Sequence, residues 1–282
     1  MSISHRRTWL ASSAMVAFVS LTMPSQAGDA LSKIAERGKM TVCTNVNNPP
    51  SAFLEPSGKA RGMHIDLLDD LRDRLSKKVG KPVEAELVPT LPANRVQFLQ
   101  QGKCDMILTS LTVTPEREKL IQFIQPYFYA AGAGLQTKKG VTIASWDELK
   151  GKPVCSNTGS SWNLPLEQKY GATIIAFQTQ QEVDQSLRDG RCVALVSDDS
   201  YLQSRFIIDK EGNWKDHMVQ DLKPFSEGPQ GIAIQFGDPQ FQDFLTGVTT
   251  DWAATGKVIE VAKKWGLRPP LLADELHAKY KK

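Results

Sequence analysis

The 282-residue sequence lacks an excess of positive charge, and its one apolar run lies near its start. It contains 34 Lys and Arg against 31 Asp and Glu, which gives a formal net charge of +3. Arg6 and Arg7 supply two of these charges in a segment without acids, so the rest of the chain carries only +1. A chain so close to neutral has no electrostatic basis for binding nucleic acid, and we expect no such partner.

The apolar run over 9–23 is too short to span a bilayer as a membrane anchor, and no later run is longer. Arg6 and Arg7 precede it, and the small residues Ser25 and Ala27 follow it. This order predicts a secretory signal peptide over 1–27, cleaved after Ala27, and therefore an exported protein. The paired arginines leave open whether export uses the general secretory or the twin-arginine route.

Cysteine is also scarce, and an even number of cysteines in an exported chain indicates disulfides. The Val-Cys-Thr-Asn sequence around Cys43 matches Val-Cys-Ser-Asn around Cys155. Likewise, Gly-Lys-Cys ending at Cys104 matches Gly-Arg-Cys ending at Cys192. This internal repeat predicts the bridges Cys43–Cys104 and Cys155–Cys192, one in each half. A zinc site is the alternative, but there is no CxxC spacing or nearby histidine to support it.

The remaining chain alternates between strand and helix patterns, which predicts an α/β fold with largely parallel sheets. A helical stripe runs from Leu68 to Val79, and 40–43 and 193–196 are short apolar strands. The last predicted helix ends at Gly266, and 278–282 is interpreted as a solvated basic tail.

Two segments, 123–135 and 227–234, mix small and apolar residues and are interpreted as crossings between two lobes. The predicted domains are the signal peptide 1–27, a first lobe from 28–130 plus 231–282, and a second lobe of 131–230. A cleft between two lobes is a usual place for a small ligand.

One stretch indicates an anion site. After a short strand, Thr109, Ser110 and Thr112 lead to Thr114, a good N-cap, with proline next at the first helical position. Arg117 then lies in the first turn, where the helix dipole disfavours a cation. A guanidinium beside several hydroxyls suits a bound carboxylate. The alternative is a surface arginine that pairs with a neighbouring glutamate.

Several motifs follow in the order and spacing of one known family. Gly62 to Leu67 is similar to a Gly-Phe-Asp-x-Asp-Leu signature, with departures at Met63 and His64. The other matching segments are Asn94-Arg95-Val96, Gly102 to Asp105, Thr114 to Arg117, Phe123, Pro126-Tyr127 and Gly190 to Asp198. Over about the whole mature length, the chain resembles the periplasmic amino-acid-binding proteins of ABC importers, solute-binding protein family 3. The resemblance implies the type II periplasmic-binding-protein fold, with the ligand cleft between two lobes joined by two crossing segments.

The resemblance also implies a site for an amino-acid head group. Arg117 would bind the α-carboxylate, and Asp198 would bind the α-ammonium group. For Asp198, a helix cap is the alternative role. Ser110 and Thr112 of the first lobe would add backbone and hydroxyl contacts to the same head group. Ser160 and Ser161, in a Gly-Ser-Ser turn of the second lobe, would face the carboxylate with their N–H groups.

Selectivity is implied by two positions. Asn45 stands where similar basic-amino-acid binders carry an acid, which argues against Lys or Arg as ligand. Arg95 lies in an Asn-Arg motif like that of glutamate/aspartate binders, where the arginine faces the ligand side chain; an ordinary surface arginine is the alternative. Trp162 is either a shelf for the ligand or part of the lobe packing. We expect a polar amino acid, acidic or amide, as ligand.

The implied function is a periplasmic receptor that delivers the amino acid to the membrane permease of an ABC importer. We expect a monomer without cofactor or metal. An enzyme on the same fold, similar to cyclohexadienyl dehydratase, is the alternative, because fold does not settle function. Such chemistry requires a general acid in the cleft, and the matching motifs contain no obvious one. A third hypothesis is that the chain is the sensor module of a receptor kinase.

Overall fold

The computed structural model describes residues 29–267 and 271–281, so the predicted signal peptide lies outside the described residues. Within those ranges, no helix combines the length and hydropathy needed to cross a membrane. The helices are α1 (Ala30–Arg37), α2 (Met63–Val79), α3 (Arg95–Gln100), α4 (Pro115–Glu118), α5 (Asn163–Tyr170), α6 (Gln180–Arg188), α7 (Asp199–Ile208), α8 (Pro239–Thr255), α9 (Lys257–Lys264) and α10 (Leu271–Tyr280), with a 3₁₀ turn at Trp146–Leu149. The strands are β1 (Lys39–Thr44), β2 (Asn47–Asn48), β3 (Ala52–Leu54), β4 (Ala60–Arg61), β5 (Glu84–Pro89), β6 (Met106–Ile107), β7 (Gln122–Phe123), β8 (Tyr129–Lys138), β9 (Pro153–Asn157), β10 (Thr173–Phe177), β11 (Ala194–Asp198), β12 (His217–Val219), β13 (Glu227–Gln230) and β14 (Ala233–Ile234).

The strands form two main sheets, which confirms the α/β prediction and the two lobes. The first sheet has the order β5-β1-β6-β14-β7, and the second has β10-β9-β11-β8-β12 with β13 added on β8. β1 is parallel to β5 and β6, and β9 is parallel to β10 and β11. The strands at the crossings, β8 and β14, pair antiparallel to their neighbours. The sheets are therefore mixed, and the expectation of largely parallel sheets was wrong because it overlooked these returning strands.

Each sheet is covered by helices whose apolar stripes form the cores. On α2, Leu71 and Leu75 are fully buried with Trp252 of α8, as the helical spacing predicts. The second core is rich in aromatic residues, and Phe225 lies edge-on to both Trp146 and Trp162. Each lobe therefore has an apolar core of its own beside the cleft.

Two antiparallel strands connect the lobes. β8 leaves the first lobe after β7, β13 returns to β14, and Gly228 pairs with Ala131 between them. The approach to the first lobe is close: a Cβ atom at Gly228 would lie 2.3 Å from Cγ2 of Thr112. The small residues in these segments thus allow the strands to pass beside the cleft. We keep 130/131 and 230/231 as the proposed lobe boundaries.

Both predicted disulfides are present. Cys43 on β1 is bonded to Cys104, and Cys155 on β9 is bonded to Cys192, each pair with a Cα–Cα distance of 5.6 Å. The bridges tie β1 to the segment just before β6 and β9 to the segment just before β11, and in each case the two strands are parallel neighbours. The repeat in the sequence therefore corresponds to the same crosslink in both lobes.

Removing one bridge should destabilise the protein. The bridges close loops of 61 and 37 residues, for which chain entropy gives about 4 kcal/mol each, and native bridges typically contribute about 2–4 kcal/mol. We expect the double replacement Cys155→Ser/Cys192→Ser to lower the free energy of unfolding by that amount, measured by denaturant titration. The matched control is the wild-type protein with both bridges verified by mass. An unchanged midpoint would contradict a stabilising role.

The C-terminal segment differs from the prediction. Residues 278–280 form the end of α10, so the helix ending near Gly266 is not the last, although Ala278 and Lys279 are exposed as predicted for a solvated end. Ala273 of α10 is buried against the first core, and Nδ1 of His277 lies 2.9 Å from the carbonyl oxygen of Ala253. The described lysines near the end are exposed to solvent, as the sequence predicts, while the face of α10 that carries Ala273 packs on α8.

Candidate functional site

A polar cavity of about 540 Å³, including its open mouth, lies between the two lobes. Its walls begin where parallel strands end, which is the usual location of ligand sites in such sheets. Asn45 follows β1 and Ser110 follows β6, while Asn157 and Asp198 end β9 and β11. The lining residues are Asn45, Asn48, Pro92, Arg95, Thr109, Ser110, Thr112, Asn157, Ser160, Ser161, Trp162, Gln180, Val196, Ser197 and Asp198.

The cavity brings together most of the predicted site residues from both lobes. The predicted residues in its wall are Asn45, Arg95, Ser110, Thr112, Ser160, Ser161 and Asp198. The eighth, Arg117, does not line it. Its side chain instead lies beside the cavity, between the lobes.

Arg95 is a buried cation in the cavity wall. It is the first residue of α3 and is 5% exposed, so it is not the surface arginine of the alternative interpretation. Its Nη1 donates to the carbonyl oxygen of Ser110 at 2.9 Å, while Nε is buried without a partner. Burial, and then the positive charge of Arg117, lowers the pKa of Arg95 to about 9, so it remains protonated at neutral pH. Among the described residues it forms no ion pair. A buried cation in this state suits an anionic ligand.

Arg117 is held between the lobes by two backbone carbonyl groups. Thr114 caps α4 as predicted, because its hydroxyl accepts from the backbone N–H of Arg117 at 3.3 Å. Nη1 donates to the oxygen of Thr112 at 2.6 Å, and Nη2 donates to the oxygen of Gly159 at 3.0 Å. Burial lowers the pKa of Arg117, while the carboxylates of Asp198 and Glu116 oppose this shift. The arginine thus joins the first lobe to the second, and no ion pair with the neighbouring glutamates is formed in the described chain.

Asp198 receives a hydrogen bond on each carboxylate oxygen. Nε1 of Trp162 donates to Oδ1 at 3.0 Å, and Nε2 of Gln230 donates to Oδ2 at 2.9 Å. Although Asp198 precedes α7, its side chain does not cap that helix. Asp199 instead accepts from the N–H of Ser200 at 2.7 Å. Burial raises the pKa of Asp198, and its two donors act in the opposite direction.

The Gly-Ser-Ser turn brings the second lobe against the first. Gly159 has a φ of +80°, and a Cβ atom there would lie 2.9 Å from both Cα of Ala93 and the carbonyl oxygen of Pro92. Ser160 and Ser161 follow in the cavity wall, and α5 begins shortly after them. The cleft is therefore closed at this point.

Four polar wall residues and one neighbour were not identified as site residues from the sequence. Asn157 could have been found, because the internal repeat makes it equivalent to Asn45. Trp162, for which both a ligand shelf and lobe packing were considered, lines the cavity and also packs in the second core. Gln230 had no local signal because it lies on the returning strand. The unpredicted wall positions with polar side chains also include Asn48, Gln180 and Ser197.

A family model agrees with this geometry. The model described as bacterial extracellular solute-binding proteins, family 3, matches residues 40–268. The chain belongs to this family. Because the match extends through both sheets and both crossing strands, the whole two-lobed unit is shared with the family.

Curated relatives of this family-3 member are named as binding proteins. The glutamate/aspartate import solute-binding protein of Salmonella typhimurium is 30% identical over 250 residues, covering 86% of this chain and 81% of the relative. The L-glutamate/L-aspartate-binding protein of Pseudomonas aeruginosa is 30% identical, covering 85% and 80%. The ABC transporter glutamine-binding protein of Bacillus subtilis is 27% identical, covering 84% of each chain. None of these three is named as an enzyme.

Solved structures share the fold. The receptor for L-cysteine of Neisseria gonorrhoeae superposes with a TM-score of 0.75 at 25% identity, covering 83% of this chain and 92% of that one. A reconstructed ancestral amino-acid-binding protein, a precursor of cyclohexadienyl dehydratase, gives a TM-score of 0.73 at 28% identity, covering 84% and 99%. The prediction of this two-lobed architecture is thereby confirmed.

Proposed function

We propose that this protein is a periplasmic receptor that binds a polar L-amino acid, with glutamate or aspartate preferred, and delivers it to an ABC importer permease. The buried guanidinium of Arg95 in the cavity wall, which forms no ion pair among the described residues, carries this proposal. In the proposed complex, Asp198 binds the α-ammonium group and Arg117 contributes to the α-carboxylate site. We infer a monomer that acts without a cofactor.

The charges at the site favour a dicarboxylic ligand. The zwitterionic head group brings one positive and one negative charge, which Asp198 and Arg117 can offset. Arg95 then remains as a second buried cation, and a side-chain carboxylate would neutralise it. A bidentate arginine–carboxylate pair is strong in such an enclosed place.

Unpaired donors in the wall point in the same direction. Nδ2 of Asn157 and Nε of Arg95 are both buried without an acceptor. Oδ1 of Asn45 already accepts from the N–H of Asn47 at 3.0 Å, which leaves its amide nitrogen as the free group. A wall rich in donors suits a ligand that supplies acceptors, and a carboxylate only accepts.

An amide amino acid is the second candidate ligand. The amide side chains of Asn45, Asn48, Asn157 and Gln180 line the cavity, and one of the relatives is a glutamine-binding protein. Glutamine would place its carbonyl oxygen on Arg95 but leave the positive charge unbalanced. We therefore place glutamate and aspartate first.

We do not retain the enzyme alternative. Asp198 is the only acidic side chain in the described wall, and donors already bond both of its oxygens. His64 lies outside the wall, and burial, together with the charge of Arg95, lowers its pKa to about 4. The site offers polar contacts for binding, in keeping with relatives that are named as binding proteins.

Calorimetric titration with all common L-amino acids, combined with Arg95→Met, tests the proposal. The wild-type protein should bind glutamate or aspartate more tightly than glutamine. Arg95→Met should weaken acidic ligands about 30-fold, because one hydrogen bond to a charged group contributes about 1.5–3 kcal/mol, and should affect glutamine less. The matched control is Arg72→Met on the exposed face of α2. If the wild-type protein binds no amino acid, the receptor proposal is wrong; if Arg95→Met weakens all amino acids equally, the acidic preference is wrong.

A further inference from the structure

The carboxylate of Asp198 is held by donors from two different parts of the molecule. Trp162 reaches Oδ1 from the turn of the second lobe, while Gln230 reaches Oδ2 from the returning strand β13. Each oxygen thereby uses one lone pair on the protein and keeps the other available. Such a carboxylate is fixed in its plane and can still accept from a ligand.

Gln230 is unusual for a residue that only fills space. It is 1% exposed, and because the carboxylate of Asp198 can only accept, the Nε2 group of Gln230 must face it. Its Oε1 is then buried without a partner among the described residues. An unpaired buried oxygen is unfavourable, and an apolar side chain of similar shape would avoid that cost. The hydrogen bond that Nε2 of Gln230 donates to Asp198 therefore explains why a glutamine, rather than an apolar residue, lies at this position.

Trp162 has a matched counterpart in the same core. Trp162 and Trp146 both lie edge-on to Phe225, and both are nearly buried. The indole N–H of Trp146 donates to the carbonyl oxygen of Lys223 at 2.9 Å, whereas that of Trp162 donates to Asp198 at 3.0 Å. The two tryptophans share their packing and differ in the group that their N–H contacts.

Charged groups of both signs face Asp198. The carboxylate of Asp199, from the start of α7, disfavours a negative charge on Asp198. Tyr129 on β8 also interacts with Asp198 but is neutral, because burial raises the pKa of its hydroxyl group. The guanidinium groups of Arg95 on α3 and Arg117 on α4 favour the negative charge. Burial raises the pKa of Asp198 more than any other single influence, and the hydrogen bonds from its two donors are the next largest, acting to lower it.

We propose that Trp162 and Gln230 are positioning residues that orient the Asp198 carboxylate and keep it ionised for a ligand cation. The part that concerns the ligand rests on the proposed function, in which Asp198 binds the ammonium group. Because Gln230 lies on a crossing strand, this contact also connects the ammonium site to the segment that joins the lobes.

The test measures the pKa of Asp198 in the ligand-free protein, by ¹³C NMR of side-chain carboxyl groups assigned with Asp198→Asn. The variants are Trp162→Phe and Gln230→Met, each of which removes one donor. We expect the pKa of Asp198 to rise in both. The matched controls are Trp146→Phe and Gln136→Met; Gln136 is a fully buried glutamine of β8 that contacts Arg205. These controls should leave the pKa of Asp198 unchanged, and circular dichroism verifies folding.

Ligand binding gives a second readout. Asp198 must be ionised to accept from an ammonium group, so affinity falls as the pH drops through its pKa. A higher pKa moves this loss to higher pH, and each positioning variant should also weaken binding roughly tenfold at neutral pH. If the two variants bind more weakly but the pKa of Asp198 is unchanged, Trp162 and Gln230 contribute only packing and the proposal is overturned. A raised pKa in a protein that binds no amino acid would refute the proposed function and leave the positioning result intact.

Discussion

Replacement of Asp198 by asparagine should weaken amino-acid binding about 10³-fold, because truncating one partner of a buried charge pair costs about 2–5 kcal/mol. The ligand ammonium group would lose its only acidic acceptor in the described wall. The asparagine amide would also place its NH₂ group against the N–H group of Trp162 or Gln230, where the wild-type protein has a carboxylate oxygen, so two donors would face each other. Isothermal titration calorimetry with the ligand found in the screen measures this loss.

Asp199→Asn is the matched control for this change. Asp199 carries the same charge one position later but accepts from the backbone N–H groups of Gly132 and Ser200, at 3.1 and 2.7 Å, outside the cavity wall. We expect it to change affinity by less than about threefold, as for a charge that does not contact the ligand. Equal affinity in the wild-type protein and Asp198→Asn would exclude Asp198 as the ammonium site.

Features with a local cause could be read from the sequence. The hydroxyl of Thr114 caps its helix because the cap and the N–H it accepts from lie within one turn. The disulfides were paired correctly because the internal repeat marks equivalent strands in each lobe. Asp198 and Arg95 were proposed from motifs, and both lie in the cavity wall.

Features that depend on distant segments could not be read in this way. Gln230 reaches Asp198 because β13 pairs with β8, and neither strand has a pattern that fixes this register. The contact of Arg117 with Gly159 depends on how one lobe lies on the other. Likewise, the exposed lysine-rich end of α10 could be read from the sequence, but the packing of α10 on α8 could not.

We propose that the lobes close on the ligand, and that the contact at Gly159, which leaves no room for a side chain, limits this closure. The carbonyl oxygen of Gly159 accepts a hydrogen bond from the side chain of Arg117 across the cleft. The Cα atom of Gly159 faces the backbone of Pro92 and Ala93 in the first lobe. Closure on a ligand requires contacts that are more favourable in the closed state, and this pair of contacts, which joins the two lobes, would be lost if the cleft opened at this point.

Gly159→Val should therefore weaken ligand binding about 10- to 100-fold, since forcing extra carbon atoms into a close-packed contact costs about 1–3 kcal/mol. The added Cβ would lie 2.9 Å from Cα of Ala93, so the lobes could meet only after one backbone moved. Small-angle scattering should show that the ligand no longer reduces the radius of gyration.

Gly140→Val separates this obstruction from backbone strain. Gly140 lies in the second lobe with a φ of +84°, close to the +80° of Gly159, and a Cβ atom there would meet nothing within 4 Å. Both variants should lose stability because valine disfavours positive φ. Only Gly159→Val should lose affinity and closure. If both variants bind as tightly as the wild-type protein, the Gly159 contact does not limit closure; if both lose affinity alike, strain within the second lobe accounts for the effect.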